Sequence, residues 1–333
     1  MAQREDYMIK ELRIRNFKSL SDVVLDGCRR INVLIGRPNV GKSNILEALA
    51  LFDTPYLALS NNKSLKSLVR VENIPDLFHN GITAGRNISV SAGTNSLKLY
   101  AAANNGLAID TTIGETRSKY NFSQSLTLTS KKEPNSFPDI LAYFFPRQFD
   151  PERAGLSYLL PPSGSNLMEV VASLPDLKGP LSELFHGYGL KMVFDTASNQ
   201  IKAMRENGAD IFLVPFKSLA DSLQRLIFYK AAIRSNRNKV ICFEEPESHT
   251  FPPYIASIVN DILASEENQF FITTHSPYII NSLLEDAGDE LAVYVADMKD
   301  NATIVRRLSD SEMQNAYDCG MDMFFNLEAI TDN

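Results

Sequence analysis

A lysine, a serine, paired glutamates and a histidine stand near the ends of apolar runs in this chain, and together they could transfer a phosphoryl group. The stretch Gly36-Arg37-Pro38-Asn39-Val40-Gly41-Lys42-Ser43-Asn44 places Gly36, Gly41, Lys42 and Ser43 in the spacing G-x-x-x-x-G-K-S. Glycines at these offsets let the backbone wrap so that its N–H groups face phosphate oxygens, and a helix starting near Lys42 adds its positive end. Lys42 would reach the β- and γ-phosphates, and the Ser43 hydroxyl would face Mg²⁺. The competing reading is an ordinary strand–turn–helix. The phosphate reading is preferred because the strand and helix flanks it requires are both present.

A second group follows about two hundred residues later. The apolar run Val240 to Phe243 ends in Glu244 and Glu245. Carboxylates at the carboxyl end of a buried parallel strand face the ligand crevice. One can hold the water shell of Mg²⁺ and the next can polarise an attacking water. By itself the pair could equally be a solvated acidic turn; the phosphate loop upstream favours function. A third apolar run, Gln269 to Ile272, leads into Thr273, Thr274 and His275. If that run neighbours the phosphate-loop strand, His275 can bond a γ-phosphate or the attacking water. His79 and His186 lack such a context and read as ordinary, with His249 intermediate.

These groups need a scaffold. Ile31 to Gly36 is a short continuous apolar run, the pattern of a strand buried on both faces. Lys42 to Phe52 sets Ile45, Leu46 and Leu49 on one helical face. From Asn61 to Ser130, short alternating runs parted by Gly, Asn and Ser predict an antiparallel meander. Residues 131–165 are proline-rich and read as a connector, followed by short helices and two strands. From Ser218 the pattern predicts helix, buried strand, helix, buried strand and helix, then a hairpin from Glu290 to Leu308 and a helical end from Asp310 to Ile330. The design is a split parallel α/β core, 1–60 and 210–333, interrupted by an antiparallel β subdomain at 61–130 and a connector with an α/β insertion at 131–209.

Composition bounds the rest. The chain has 333 residues, 44% of them hydrophobic and 22% charged, which suits a globular protein of about two domains. Its net charge of −7 does not imply nucleic acid, which would need a local basic patch. The one obvious basic cluster is Tyr229 to Lys239. Cys28, Cys242 and Cys319 are far apart and form no metal or disulfide pattern, which fits a reducing interior. No apolar signal core or run of ~18 apolar residues occurs, so the expectation is a cytoplasmic protein with no membrane partner.

Taken in order, the phosphate loop, Phe-Glu-Glu-Pro-Glu-Ser-His (243–249) and Ile-Thr-Thr-His-Ser-Pro (272–277) resemble the ABC-type ATPases of the SMC/RecF/OLD group, in particular its small AAA-labelled members from bacterial defence and DNA-repair loci. The opening Leu12 to Leu25 is similar to their first strand and Asn-Phe-Lys-Ser-Leu turn. The resemblance covers both ends of the chain well and the middle weakly. It implies a P-loop NTPase fold, ATP and Mg²⁺ as cofactors, and nucleotide contacts from Gly36, Asn39, Val40, Gly41, Lys42, Ser43 and Asn44. It places Glu244 with Ser43 at the metal, Glu245 as general base and His275 as γ-phosphate sensor. It also implies head-to-tail dimers or higher oligomers, in which a signature motif S-x-G-x-Q closes the partner's site.

Here the signature departs from the pattern. The matching stretch is Leu-Ala-Asp-Ser-Leu-Gln (219–224), with Ala220 for the serine and Ser222 for the glycine. The trans half of the site would then be weakened, or would use Ser218 or Ser222, and turnover would be slow. Gln148 is the best placed candidate for the Q-loop glutamine. No heptads are present, so there is no tethering coiled coil. No Asp-x-Asp follows His275, so nuclease or toxin activity would come from a partner. The leading expectation is an ATP-gated dimeric switch controlling such an effector in anti-phage defence. The alternative is a RecF-like DNA-binding repair ATPase. A GTPase lacks its Asn-Lys-x-Asp guanine reader, a kinase would lack the paired glutamates, and a nucleotide sensor that scarcely hydrolyses remains as a fourth class.

Overall fold

The computed structural model describes residues 7–102, 105–132 and 137–327. Its elements begin with Leu12–Phe17 (β1), Leu20–Leu25 (β2), Ile31–Gly36 (β3), Lys42–Ala50 (α1) and Thr54–Leu57 (α2). A run of strands follows: Ile88–Ala92 (β4), Asn95–Ala101 (β5), Leu107–Ile113 (β6), Thr116–Phe122 (β7), Leu128–Lys132 (β8) and Ile140–Tyr143 (β9). The middle holds Leu167–Ser173 (α3), Pro175–Gly187 (α4), Lys191–Asp195 (β10), Gln200–Asn207 (β11) and Asp210–Pro215 (β12). Then come Asp221–Ser235 (α5), Val240–Glu244 (β13), Pro252–Ala264 (α6), Gln269–Thr273 (β14), Pro277–Asp286 (α7), Leu291–Lys299 (β15), Ala302–Arg307 (β16) and Asp310–Asp318 (α8).

The chain forms two compact units. The first takes Met1–Ala142, Asn238–Glu245 and Glu267–Asn333; the second takes Tyr143–Arg237 and Pro246–Glu266. The first unit contains a six-stranded sheet in the order β16-β15-β3-β14-β13-β9. Within it β3 runs parallel to both β14 and β15, and β13 runs parallel to β14. Every residue of β3 and β14 is buried, as is Val240 to Phe243 of β13. That explains why these runs are almost wholly apolar, since a parallel strand has no solvent face to leave polar; the one polar residue inside β3, Asn32, is buried with its Nδ2 donating to the Arg29 and Phe270 carbonyls. The register aligns their ends: Glu244 lies opposite Thr273, and Thr273 opposite Leu34. The chain therefore leaves all three strands at one level. β16 closes the other edge by pairing antiparallel with β15, the hairpin expected from the sequence.

The same unit carries a seven-stranded sheet, β2-β1-β4-β5-β6-β7-β8, antiparallel throughout. In β1 the burial alternates, Leu12 and Ile14 inward and Arg15 exposed, as one covered face dictates. The stretch expected to form a meander supplies β4 to β8. In contrast, β9 lies inside the segment read as a connector. Ile140, Leu141, Ala142 and Tyr143 are all buried. Four apolar residues among prolines are too short to show a period, so composition hid the strand.

In the second unit helices α3 to α6 accompany a separate antiparallel sheet, β10-β11-β12. Helix α5 is buried nearly all round, from Leu223 through Ile233, as befits its central place among α3, α4 and α6. β12 exposes Ile211, Phe212 and Leu213. At the chain end, α8 opens with a Ser309/Glu312 capping box and stops before Gly320, whose φ of 59° ends the helix. The expected terminal helix is thus cut short, and its last residues, 328–330, lie outside the described residues.

Candidate nucleotide site

β3 ends at Gly36, where the chain turns with φ 145°. A Cβ there would lie 2.2 Å from the Ala296 carbonyl oxygen of β15, so only glycine permits this strand pairing and turn together. Asn39 takes φ 63°, a left-handed conformation that asparagine tolerates better than most residues. Gly41 caps α1 with φ 96°, and a Cβ there would sit 2.1 Å from Thr303 Oγ1 and 2.5 Å from Ser19 Oγ. The loop is thereby aimed so that the first turn of α1 opens above the strand ends.

The Lys42 side chain is nearly buried and donates to the carbonyls of Gly36 and Arg37, both at 2.8 Å. Burial lowers its pKa to about 8, while the Glu245 carboxylate pulls the other way. Ser43 is half-buried at the second residue of α1. Val40 and Asn44 belong to a chain of bonds that braces the loop. Asn44 Nδ2 donates to Ser19 Oγ at 2.8 Å, Ser19 Oγ lies 2.7 Å from Thr303 Oγ1, and Thr303 Oγ1 donates to the Val40 carbonyl at 2.8 Å. Each hydroxyl has one proton, so the bonds run in one direction, from Asn44 through Ser19 and Thr303 to Val40.

Glu245 follows directly on β13. Its φ of 41° is a strained value for a side chain of this size, held by its N–H, which donates to the Thr273 carbonyl at 2.9 Å. That conformation turns the carboxylate toward the end of β14. There Glu245 Oε1 lies 3.5 Å from His275 Nε2. Desolvation holds the His275 imidazole below its ordinary value; Lys42 pushes the same way, and Glu245 opposes both. Lys42, Glu245 and His275 therefore act on one another electrostatically, and β14, which ends two residues before His275, does lie beside β3.

Glu244, the last residue of β13, accepts a bond from Arg70 Nη2 at 2.7 Å. Arg70 Nε also donates to Glu47 Oε1 on α1 at 2.6 Å, and Lys18 pairs with Glu47 Oε2. Among the described residues no group of three or more His, Cys, Asp or Glu side chains could hold a metal ion. A cation here would take the Ser43 hydroxyl and the Glu244 carboxylate and complete its shell with phosphate oxygens and water. Such a small set of hard oxygen donors suits Mg²⁺, which is commonly bound by one or two carboxylates plus substrate phosphates.

The remaining expected residues lie in the second unit. Ala220 is the N-cap of α5 and, having no side-chain oxygen, leaves that helix start without a side-chain cap. Ser222 Oγ donates to the His249 carbonyl at 3.0 Å. Gln224 Nε2 donates to the Leu219 carbonyl at 2.8 Å, tying the chain before the helix to its first turn. Gln148 lines a cleft of about 1070 Å³ with Arg147, Lys217, Arg225 and His249. Sequence reasoning missed Lys18, Ser19, Glu47, Arg70 and Thr303. Lys18 and Ser19 sit in the Asn-Phe-Lys-Ser-Leu turn, which carried a resemblance but no assigned role; nothing local marks the other three.

A 42-residue stretch is 48% identical to a Helicobacter pylori protein named ATP/GTP phosphatase, and covers 13% of this chain and 11% of that one. A 45-residue stretch is 44% identical to the uncharacterized Methanocaldococcus jannaschii protein MJECL10, covering 14% of this chain and 20% of that one. The matches thus span only a small part of either relative. The structure is similar to an SMC head domain from Thermotoga maritima, with TM-score 0.42, 14% identity, and coverage of 91% of this chain and 99% of that one. It is also similar to an Smc head domain with an extended coiled coil, bound to the C-terminal domain of ScpA derived from Pyrococcus furiosus, with TM-score 0.47, 11% identity, and coverage of 93% and 98%. Residues 31–281 match the model of a family described as "AAA domain, putative AbiEii toxin, Type IV TA system". This match takes in the phosphate loop, both glutamates and His275, and with it the chain belongs to that AAA family and has a P-loop NTPase fold.

Proposed function

We propose that the chain is a Mg²⁺-dependent ATPase that works as an ATP-gated dimeric switch and controls a partner effector in anti-phage defence. The observation that carries the reading is the convergence of Lys42, Glu245 and His275 at the ends of three aligned strands. Lys42 leaves the Gly36 and Arg37 carbonyls for the β- and γ-phosphates. Glu245 takes a proton from the attacking water. His275, whose imidazole desolvation holds below its ordinary value, bonds the γ-phosphate. Ser43 and Glu244 would hold the cation, whose charge offsets that developing on the transferred group.

The stretch shared with a protein named ATP/GTP phosphatase supports nucleotide hydrolysis. The absence of an Asn-Lys-x-Asp guanine reader favours adenine. In the head-to-tail dimer, the start of α5 from one copy would close the site of the other. Ala220 brings no hydroxyl to that contact and Ser222 is engaged with His249, which supports slow turnover. The family description, which names a putative toxin of a toxin–antitoxin system, supports a place in defence. A DNA clamp is less well supported. In the basic cluster Lys230 and Arg234 pair with Asp261, and Lys239 pairs with Asp139, so much of its charge is neutralised. No helix of the described residues is long and apolar enough to cross a membrane.

The test is association and hydrolysis measured together. Glu245→Gln should bind ATP, hydrolyse it at least a hundredfold more slowly and accumulate as a dimer in light scattering, on the scale of losing a general base. Lys42→Ala should neither hydrolyse nor dimerise. If ATP drives no association in wild type or Glu245→Gln, the gating mechanism is wrong.

A further inference from the structure

Arg70 stands in the chain between α2 and β4, outside every motif the sequence singles out. Its guanidinium joins two carboxylates, Glu47 at 2.6 Å and Glu244 at 2.7 Å. Its backbone carbonyl accepts from Lys18 Nζ at 2.7 Å, and the same ammonium pairs with Glu47. Residue 70 is therefore fixed through both its main chain and its side chain. The two carboxylates differ as partners: the Glu47 side chain is 3% exposed, and that of Glu244 is 21% exposed. Glu47 is a buried charge that cannot lose its cations cheaply, whereas Glu244 borders solvent.

The helix geometry gives the arrangement its meaning. Ser43 and Glu47 are four residues apart on α1 and so lie one turn apart on the same face. A guanidinium anchored on Glu47 is therefore one turn from the hydroxyl read as a metal ligand, with its other arm on the carboxylate read as the second ligand. A carboxylate oxygen held at 2.7 Å by a charged N–H is engaged in a strong, directional bond. We propose that Arg70 is a positioning residue that competes with the divalent cation for Glu244: it neutralises Glu244 beside Glu245 before nucleotide arrives, and releases it, while staying on Glu47, when the cation is seated.

This rests on the reading of Ser43 and Glu244 as the Mg²⁺ ligands. It deepens that reading by giving the site a built-in threshold for the metal. Arg70 suits the task because its side chain is 64% exposed, so the arm on Glu244 can swing into solvent. A lysine could not do the same, since one ammonium lacks the planar fork that spans two carboxylates.

The experiment uses the full chain and a fluorescent ATP analogue at fixed concentration, titrated with Mg²⁺. Arg70→Gln should lower the Mg²⁺ midpoint about 1.5-fold to fivefold, the range for a partly exposed charged pair. Arg70→Lys should lower it by less. A purely structural ion pair would move the melting temperature and leave the midpoint alone. A midpoint that is unchanged or raised in Arg70→Gln overturns the competition while the site itself stands. If Arg70→Gln does not fold, Arg70→Lys decides by the same criterion. If wild type binds no analogue at any Mg²⁺ concentration, the reading of the site fails and the proposal with it.

Discussion

Thr303 is 263 residues from Val40 in sequence, yet its hydroxyl is the link that ties the phosphate loop to β16. Thr303→Val removes that hydroxyl and keeps the shape, so it opens no cavity. Two partners lose a bond, the Val40 carbonyl at 2.8 Å and Ser19 Oγ at 2.7 Å. Ser19 is only partly buried and can turn to water, so its loss is small. The Val40 carbonyl is buried, and an unsatisfied buried acceptor costs ~1–3 kcal/mol. Taking about 2 kcal/mol, the melting temperature should fall by roughly 4–8 °C for a unit of this size. The loop must also be re-formed to wrap a nucleotide, so affinity for an ATP analogue should weaken about tenfold, the equivalent of ~1.4 kcal/mol. Differential scanning fluorimetry with and without the analogue reads both quantities. Thr303→Ser keeps the hydroxyl and should retain wild-type affinity. If Thr303→Val and Thr303→Ser behave alike in both readouts, the brace has no bearing on the loop.

Two further outcomes follow from buried charge. His275, held below its ordinary value chiefly by desolvation, should titrate in NMR with a midpoint under ~6.5. That midpoint should drop further in Glu245→Gln and rise in Lys42→Met; the opposite order would mean that the three groups are not neighbours. Asp53 is fully buried beside the Ala142 N–H, and burial pushes its carboxyl well above the usual range. Its folded state holds the proton more tightly than the unfolded chain, so its contribution is present below ~pH 4 and is lost as pH rises toward the folded value. Asp53→Asn cannot ionise, so its stability advantage over wild type in urea unfolding should grow from pH 4 to pH 8; a flat difference would remove the argument.

What the sequence made legible was local. The phosphate loop could be read because Gly36, Gly41, Lys42 and Ser43 do their work within eight residues. β3, β13 and β14 could be read because strands buried on both faces carry nearly unbroken apolar runs. β9 was hidden because Ile140 to Tyr143 has no room for a period. The apolar run of β12 shows the converse, since Ile211, Phe212 and Leu213 are exposed although their types suit a core. The braces of the site were not legible at all. Glu47 lies within an ordinary amphipathic helix, Arg70 within an irregular stretch, and Thr303 in a terminal hairpin. Their pairings span 23, 174 and 263 residues, and no spacing rule reaches that far. Ala220 was legible as a lost hydroxyl, and the structure adds that its position is the N-cap of α5.

The most direct measurement is a crystal structure of the chain with Mg²⁺ and an unreactive ATP analogue. The expected result is a triphosphate over the first turn of α1, with Lys42 Nζ and His275 Nε2 within about 3.2 Å of γ-phosphate oxygens. Glu245 should face the in-line water position, and the cation should sit between Ser43 and Glu244. A nucleotide bound elsewhere, or one bound here with Lys42 still on the Gly36 and Arg37 carbonyls and His275 turned away, would contradict the account.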